Sequence, residues 1–593
     1  RWFVSHWWGE PVADFVACLN QHSKDRELSE LDPYWVCAYA NNQWDLTSDL
    51  FEDPSQSSFR RAMELAEGTV SVLDRDAACY SRIWCCYEVW VSTSHLACAE
   101  ARSTKYKKGG DKKPYKYDMY TAISNRAIGI TDGCAEVDRR DKHPIDAKNK
   151  REKNFPMALC RRALSIKLQD AQATEQKDRR RILNSIAGIR KLDALPPLEH
   201  ERYGQLNSNL HGRIAAAAWR PALESGEPIE PYLNALRGYD QPKLELSCDN
   251  STVLSDQDVR DLASTFSKGL QYLDLDFSFC VQLTDQTLKA LGNSMLTPHA
   301  LKRIAVTFIF CEQLCDEGLV DFAGAVAQTP TLREVCLNFY GCKAITSFGA
   351  RALLMSLPSA LTRLELDFSF NCQISEEVLH ELEMTSLREL QHLRLNLHYC
   401  TAALNRTGLK SLVAALPPSL CHLHLDLRFG DQLVDNAITS LAEGIPKGLQ
   451  HLSLDLSGNK GLSDNAFVAI AEAIPAKVEV LKLCFGRCNL TDRSVRSIAR
   501  NLPSSLTSLT LKLTACEEVT EDAICALAEK LPKTMRRVAI WLDHCSCPDE
   551  AREIVQEALQ GCTTKVKVHG SRQRRTSSHT TIASPDPDDQ EDA

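Results

Sequence analysis

The sequence has no long apolar run, few glycines and prolines for its length, and no glycine-rich phosphate loop, and each absence excludes a class of protein. No apolar stretch reaches the roughly 18 residues of a transmembrane helix, so no membrane span is expected. With 26 glycines, 24 prolines and 44% hydrophobic residues, the 593-residue chain is neither fibrous nor disordered as a whole. The motif G-x-x-x-x-G-K-S/T is missing, and no spacing of His and Cys is typical of a metal site. We therefore expect no metal and no P-loop nucleotide switch.

Cysteine and charge narrow the class further. The 24 cysteines are about 4% of the chain, below the roughly 8–10% of disulfide scaffolds, so we expect reduced thiols and a cytoplasmic protein. The net charge is −9. A basic run from Arg102 to Lys116 could contact phosphate groups, but in an acidic chain a solvated insertion is favoured. Nucleic acid is therefore not expected as a partner.

The second half of the chain repeats about every 29 residues. The first leucine-type residue of each unit is one of the following: Leu270, Leu301, Leu332, Leu361, Leu390, Leu420, Leu449, Val478, Leu506 and Met535. Apolar residues at offsets 3, 5 and 7 from it alternate with polar ones, which predicts a short strand buried on one face. Next comes a Ser, Thr or Asp that can cap a helix, followed by apolar residues three and four positions apart, which predict a helix. Many of these predicted helices end at a proline.

A strand and a helix in each unit resemble the leucine-rich repeat, in its ribonuclease-inhibitor-like and cysteine-containing varieties. The resemblance implies a horseshoe-shaped α/β solenoid over residues 241–570. In seven units a cysteine stands ten residues after the first leucine-type position: Cys280, Cys311, Cys342, Cys400, Cys488, Cys516 and Cys545. In an eighth unit Cys372 stands eleven residues after it. Zinc binding is one interpretation, but one thiol per repeat forms a row and not a tetrahedral cage, which favours packed small side chains with weak S–H donors.

The exposed positions of the predicted strands carry charge in stripes. At offset 6 the candidate partner-binding residues are Asp276, Asn338, Asp367, Asn396, Asp426 and Asp455. At offset 2 a basic and imidazole run follows: Arg303, Arg363, His392, His422 and His451. Such stripes on the concave face suit a charged protein partner. The alternative is that the two stripes only neutralise each other.

The first part of the chain has another composition, since it holds eight of the nine tryptophans. Candidate strands lie at residues 2–4, 34–39 and 68–73, and two more at 120–123 and 163–168. Helical patterns at 11–19 and 59–66 separate the first three. Strands that alternate with helices predict a parallel sheet with helices on both faces.

Two segments of this part resemble the Toll/interleukin-1 receptor (TIR) superfamily. They are the first strand, which runs into Phe3-Val4-Ser5-His6, and Ser81-Arg82-Ile83-Trp84-Cys85-Cys86-Tyr87-Glu88, which is similar to the family's S-x-W-C-x-x-E segment at the third helix. The resemblance covers about residues 1–95 and implies a flavodoxin-like/TIR-like parallel-sheet domain. In TIR enzymes that cleave NAD the glutamate of this helix is catalytic, so the resemblance implies that role for Glu88.

Ligands of open parallel sheets bind at the carboxyl ends of the strands. The candidate nucleotide-binding residues at these ends are Ser5, His6, Trp7 and Trp8 after the first strand, Asn41, Trp44 and Asp45 after the second, and Asp74 after the third. NAD would be a substrate here, and no bound cofactor is expected. A carboxylate such as Glu88 can stabilise the oxocarbenium character that builds on the ribose as the glycosidic bond breaks.

The sequence thus predicts four segments: a TIR-like domain (1–170), a helical bridge (171–240), a leucine-rich repeat solenoid (241–570) and a disordered tail (571–593). The repeats would bind a protein partner, and the first domain would signal by NAD cleavage or by self-association. The alternative is a non-enzymatic scaffold or substrate-recruiting adaptor with an inactive TIR-like domain.

Overall fold

The computed structural model of the chain describes residues 1–40, 53–93, 115–123, 125–141, 144–385, 387–546 and 565–569. Two compact units follow each other, the first built mainly from residues 1–241 and the second beginning at Pro242. Both combine strands with helices, so the predicted α/β class is confirmed. No described helix has the length and apolar character needed to cross a membrane.

The first unit is built on a five-stranded sheet. In chain order its strands are β1 (Trp2–Ser5), β2 (Tyr34–Val36), β3 (Gly68–Leu73), β4 (Lys116–Ile123) and β5 (Arg126–Ile130). The helices are α1 (Val12–Asp25), α2 (Cys37–Ala40), α3 (Ser58–Leu65), α4 (Ile83–Thr93), α5 (Pro144–Glu152), α6 (Met157–Ser165), α7 (Gln176–Ala187), α8 (Glu201–Glu224) and α9 (Glu230–Arg237). Short 3₁₀ turns lie at Pro54–Gln56, Ala78–Ser81, Asp138–Arg140 and Leu168–Asp170.

The sheet has the strand order β2-β1-β3-β4-β5, and its first four strands are parallel. Both central strands, β1 and β3, are buried along their whole length, as their continuous apolar runs predict. The sheet is mixed, since β5 runs antiparallel to β4. Only two residues separate β4 from β5, whereas a parallel crossover needs about a dozen. The short connection therefore imposes a hairpin.

Two of the predicted strands need correction. Residues 163–168 are not a strand: helix α6 covers Met157–Ser165 and buries Leu159, Cys160 and Ala163 on one face. These three residues have helical spacing. The predicted strand began at residue 163, inside the helix, so it included only the last of them. The second predicted strand ends at Val36, because Cys37 already begins α2. The predicted strands at 2–4, 68–73 and 120–123 are confirmed.

The second unit is a solenoid around a twelve-stranded parallel sheet whose strands follow chain order. The strands are β6 (Lys243–Ser247), β7 (Tyr272–Asp276), β8 (Arg303–Thr307), β9 (Glu334–Asn338), β10 (Arg363–Asp367), β11 (His392–Asn396), β12 (His422–Asp426), β13 (His451–Asp455), β14 (Val480–Cys484), β15 (Ser508–Lys512), β16 (Arg537–Trp541) and β17 (Lys565–His569). The helices that follow β6 to β15 in turn are Asp256–Ala263, Asp285–Met295, Asp316–Ala327, Ser347–Met355, Glu376–Met384, Arg406–Ala415, Asp435–Glu443, Asp464–Ala473, Asp492–Asn501 and Glu521–Lys530. The unit is a leucine-rich repeat solenoid, as the sequence predicts.

A column of buried aromatic rings runs along the core of the solenoid at offset 7. The rings of Phe277, Phe308, Phe339 and Phe368 follow one another with centroids 5.6 to 5.9 Å apart. All four are fully buried. The predicted alternation within each strand is therefore confirmed, with offsets 3, 5 and 7 directed into the core.

Aspartates at the first turn of the repeat helices join consecutive repeats. Asp464 Oδ1 accepts a hydrogen bond from the backbone N–H of Thr491 at 2.9 Å, and its Oδ2 accepts from the Thr491 hydroxyl at 2.7 Å. The same pair of bonds joins Asp316 to Thr346. The Thr and Asp residues of the helix starts therefore act between repeats as well as at the helix cap.

The row of cysteines is a row of hydrogen-bond donors. Cys342 Sγ donates to the carbonyl oxygen of Phe308 at 2.9 Å, and Cys400 Sγ to that of Phe368 at 3.0 Å. The packing interpretation is thus confirmed for these buried thiols. Cys372 does not belong to the row, because it is exposed and Asn371 Nδ2 donates to the Phe339 carbonyl in its place.

Candidate functional site

The carboxyl of Glu88 meets the end of the central strand β1. Ser5 Oγ donates to Glu88 Oε2 at 2.5 Å, and both side chains are buried. Burial raises the pKa of Glu88 to about 8, and the Ser5 hydroxyl opposes only part of this shift. At neutral pH the group is therefore mostly a neutral acid. Buried acids with such shifts occur at catalytic sites and also in structural networks.

Three thiols surround this pair, and the sequence analysis did not identify them as part of the site. Cys79 Sγ lies 3.7 Å from Ser5 Oγ. Cys85 Sγ donates to the His6 carbonyl oxygen at 3.6 Å, and Cys37 Sγ lies 3.8 Å from His6 Nε2. Burial raises the pKa of Cys37 to about 12, so it is a neutral thiol and a poor nucleophile. Only Cys85 has a signal in the sequence, three residues before Glu88 on the same helix face.

The loop after β1 places the predicted His6, Trp7 and Trp8. Burial lowers the pKa of His6, although its Nδ1 lies 3.3 Å from the Trp7 carbonyl oxygen. Trp8 is 60% exposed, and its Nε1 donates to Cys37 Sγ at 3.2 Å. A neutral imidazole and an exposed indole at the carboxyl end of the sheet suit stacking on a flat ligand.

Asp74 follows β3 but has a local structural task. Its Oδ1 accepts a hydrogen bond at 2.7 Å from the backbone N–H of Ala78, the first residue of the 3₁₀ turn Ala78–Ser81. Nearby Glu10 is half-buried, and its Oε2 has no hydrogen-bond partner among the described residues. Burial, and then the charges of Asp74 and Asp14, raise the pKa of Glu10 to about 7. Glu10 is thus a second acid at this edge that the sequence analysis missed.

The remaining candidates of this site, Asn41, Trp44 and Asp45, lie outside the described residues. Of the others, the structure brings Ser5, His6 and Glu88 together. Within the described parts of the chain no group of three His, Cys, Asp or Glu side chains could hold a metal ion.

The six predicted partner-binding residues lie on the sheet of the solenoid, on β7 and on β9 to β13, with Thr307 of β8 between the first two. We call these six residues the strand-end row: Asp276, Asn338, Asp367, Asn396, Asp426 and Asp455. Each stands at the last position of its strand, and the parallel register pairs Asp367 with Asn338 on one side and Asn396 on the other. Five of the six also accept a hydrogen bond from the backbone N–H two residues later, as Asp367 does from Ser369 at 2.9 Å. The row therefore shapes the turns after the strands as well as the surface.

Three carboxyl groups of the strand-end row, those of Asp367, Asp426 and Asp455, stand at the ends of β10, β12 and β13. Arg428 donates to Asp426 through Nε at 2.9 Å and Nη2 at 2.6 Å, and its Nε lies 3.7 Å from Asp455 Oδ2. Burial and the neighbouring Asp426 raise the pKa of Asp455. Burial also raises the pKa of Asp367. Three carboxyl groups thus share this part of the face with one guanidinium.

The other predicted stripe contains a stack of imidazoles. The His422 ring lies 3.9 Å from that of His392 and 4.0 Å from that of His451, between centroids. Burial, followed by His451 and His392, lowers the pKa of His422 to about 4. The imidazole of His422, in the centre of the stack, is therefore neutral at physiological pH. The positive charge of this stripe comes mainly from Arg303 and Arg363.

A comparison with solved structures finds matches of low sequence identity. The crystal structure of Rad7 with Elc1 from yeast matches with 19% sequence identity and a TM-score of 0.42, over 64% of this chain and 84% of that chain. The leucine-rich repeat-containing protein LegL7 from Legionella pneumophila matches with 17% identity and a TM-score of 0.33, over 50% of this chain and 90% of that one. No protein-family model and no curated protein sequence matches the chain.

Proposed function

We propose that the chain is a cytoplasmic recognition protein whose repeat sheet binds a protein partner and whose first unit transmits the signal. The observation that carries this proposal is the outer face of the parallel sheet, where side chains at the strand starts form a basic and imidazole stripe and side chains at the strand ends form an acidic and amide stripe. Arg363 pairs in register with His392 at the strand starts, and Asp367 with Asn396 at the strand ends. A face ordered in this way recognises a partner by electrostatic complementarity.

Site-specific photo-crosslinking in cells tests the docking face. A photoreactive amino acid replaces Ser453, a half-buried residue in the middle of β13, or Glu472, an exposed residue of the helix that follows it. We expect Ser453 to trap one protein that Glu472 does not trap. The same set of adducts from both positions would contradict binding at the sheet.

A second candidate function is cleavage of NAD by the first unit, which we propose has a TIR-like fold. The contact between Ser5 and Glu88 at the carboxyl end of β1 supports it, because the resemblance assigns catalysis to this glutamate and ligands of parallel sheets bind at this edge. The expected result is nicotinamide release by the purified chain and its loss in Glu88→Ala.

The pKa of Glu88 predicts the direction in which the rate of nicotinamide release changes with pH. If the ionised carboxylate acts on the ribose, the rate rises with pH up to about 8 and then levels off, because the fraction of ionised Glu88 increases over this range. A rate that does not change between pH 6 and 8 would exclude Glu88 as the acting carboxylate.

The adaptor alternative makes the opposite prediction for the first unit and the same one for the repeats. Without catalysis, wild type and Glu88→Ala both release no nicotinamide, while Ser453 still traps the partner. Self-association through the TIR-like unit would then be the remaining route to a signal, and sedimentation of the full chain measures it.

A further inference from the structure

A row of aromatic side chains follows the strand-end row, three residues further along the chain in most repeats. We call it the aromatic rim: Phe279, Phe310, Tyr340, Phe370, Tyr399 and Phe429. Neighbouring rings lie 4.6 to 5.6 Å apart between centroids, so the six rings form one continuous surface. Phe279 is 46% and Tyr399 39% exposed, and the other four rings are partly exposed.

The backbone does not require aromatic residues at these positions. Phe279, Phe370 and Tyr399 have φ of 59°, 62° and 61°, the left-handed region that favours glycine. Glycine does stand at the same place in two repeats, as Gly341 and Gly458 with φ of 72° and 79°. A bulky residue in this conformation is strained, because its Cβ atom comes too close to the following carbonyl oxygen. The rings are therefore kept in spite of the backbone and not because of it.

The two glycines leave room for the rim. A Cβ atom on Gly341 would lie 2.6 Å from the ring of Phe310, and one on Gly458 would lie 2.4 Å from the ring of Phe429. Both distances are far below van der Waals contact, so a side chain at either place would displace the neighbouring ring. The two repeats that have glycine in place of an aromatic residue therefore leave the neighbouring rings undisturbed, and the ring surface continues from Phe279 to Phe429.

The aromatic rim lies beside the crowded carboxylates. The pKa of Tyr340 is raised to about 12, first by burial and then by the charges of Asp367 and Asp426. One cation of the chain already occupies this border, since Arg428 immediately precedes the rim residue Phe429 and bonds Asp426. A planar guanidinium group therefore already fits between the aromatic rim and the carboxylates of the strand-end row.

We infer that the aromatic rim and the carboxylates of the strand-end row bind an arginine-rich segment of the partner protein. Guanidinium groups stack on aromatic faces and pair with carboxylates in a bidentate manner. Six consecutive repeats cover about 24 Å at a strand spacing of about 4.8 Å, which an extended segment of about eight residues spans. This inference rests on the docking function proposed above and names the chemistry of the partner.

The test removes two rings without a change of charge and without added strain. In the double variant Phe279→Gly and Tyr399→Gly, glycine takes the conformation that Gly341 and Gly458 already have, so we expect the full chain to fold and its thermal unfolding to be unimpaired. The control is Ala515→Gly, at the same place in a later repeat, with φ of 59° and no ring.

The probe is a fluorescein-labelled peptide of six Arg-Ser repeats, and a peptide of six Glu-Ser repeats is its opposite. By fluorescence polarisation at physiological salt, we expect the wild type to bind the arginine peptide and not the glutamate peptide. The double variant should bind about tenfold more weakly, as the loss of two cation–π contacts implies, and the control should match the wild type.

Two results would overturn the inference: equal binding of both peptides by the wild type, or unchanged binding of the arginine peptide by the double variant. Either result leaves the photo-crosslink at Ser453 as a separate measurement. A partner trapped there in spite of such a result would preserve the docking function and refute only the arginine-rich rim.

Discussion

Replacement of Glu88 by glutamine should remove a pH dependence from the stability of the first unit. The carboxyl is buried against Ser5, and its pKa is raised from 4.5 to about 8. A raised pKa means that the folded state holds a proton which the unfolded state has released. The stabilising effect is complete below pH 4.5 and is lost as the pH rises through 8.

The magnitude follows from the size of the shift. Each pKa unit corresponds to about 1.4 kcal/mol, so the free energy of unfolding should fall by about 4 kcal/mol between pH 4.5 and pH 8 on account of this one group. Glutamine has nearly the same shape, accepts the Ser5 hydrogen bond and does not ionise. Glu88→Gln should therefore match the wild type near pH 5 and exceed it in stability by a few kcal/mol at pH 8.

Urea unfolding of the full chain, followed by tryptophan fluorescence, measures this difference, because eight of the nine tryptophans lie in the first unit. Glu10 and other groups titrate in both proteins, so the difference between wild type and variant isolates Glu88. The exposed Glu30→Gln is the control and should run parallel to wild type at every pH. Parallel profiles for Glu88→Gln as well would refute the assignment of Glu88 as a buried neutral acid.

Three further predictions concern stability and are checked by urea unfolding, followed by tryptophan fluorescence for the first unit and by circular dichroism for the solenoid, which holds one of the nine tryptophans. Asp118→Ala should destabilise the first unit by about 3–5 kcal/mol, because the buried Arg26, which donates to both Asp118 oxygens at 2.7 and 2.8 Å, loses this paired carboxylate; a change under about 1 kcal/mol would show that Arg26 finds water instead. Phe308→Ala should cost the solenoid about 3–5 kcal/mol through the cavity in its aromatic column, and a cost near zero would mean that the column collapses without loss. Asp464→Ala should cost about 1–3 kcal/mol, because the Thr491 donors lose their partner, and circular dichroism of the repeat region should detect the earlier unfolding.

The repeat architecture could be predicted from the sequence because the apolar pattern within each unit decides which of its residues are buried. Leu273 and Leu275 alternate with Asp274 and Asp276, and this pattern alone directs one face inward. Since every repeat contacts mainly its neighbours, a short local pattern that recurs at a fixed spacing defines the whole solenoid. The strand-end row was predictable for the same reason.

The first unit was harder to predict, because its contacts join distant parts of the chain. The ion pair between Arg26 and Asp118 spans 92 positions, and the contact of Ser5 with Glu88 spans 83. No periodicity reveals such pairs. The antiparallel β5 and the helix at Met157–Ser165 were missed for a related reason, since connection length and helix packing decide them and a local apolar run does not.

The sequence by itself therefore determined the α/β class, the repeat length and the residues that line the sheet of the solenoid. Only the tertiary structure decided that Glu88 is a buried acid and that Asp118 holds a buried arginine. It also decided that aromatic residues two or three places beyond the strand ends form one rim. The physical reason is that local patterns set which face of an element is buried, whereas charge, protonation and ring contacts depend on groups that only folding brings together.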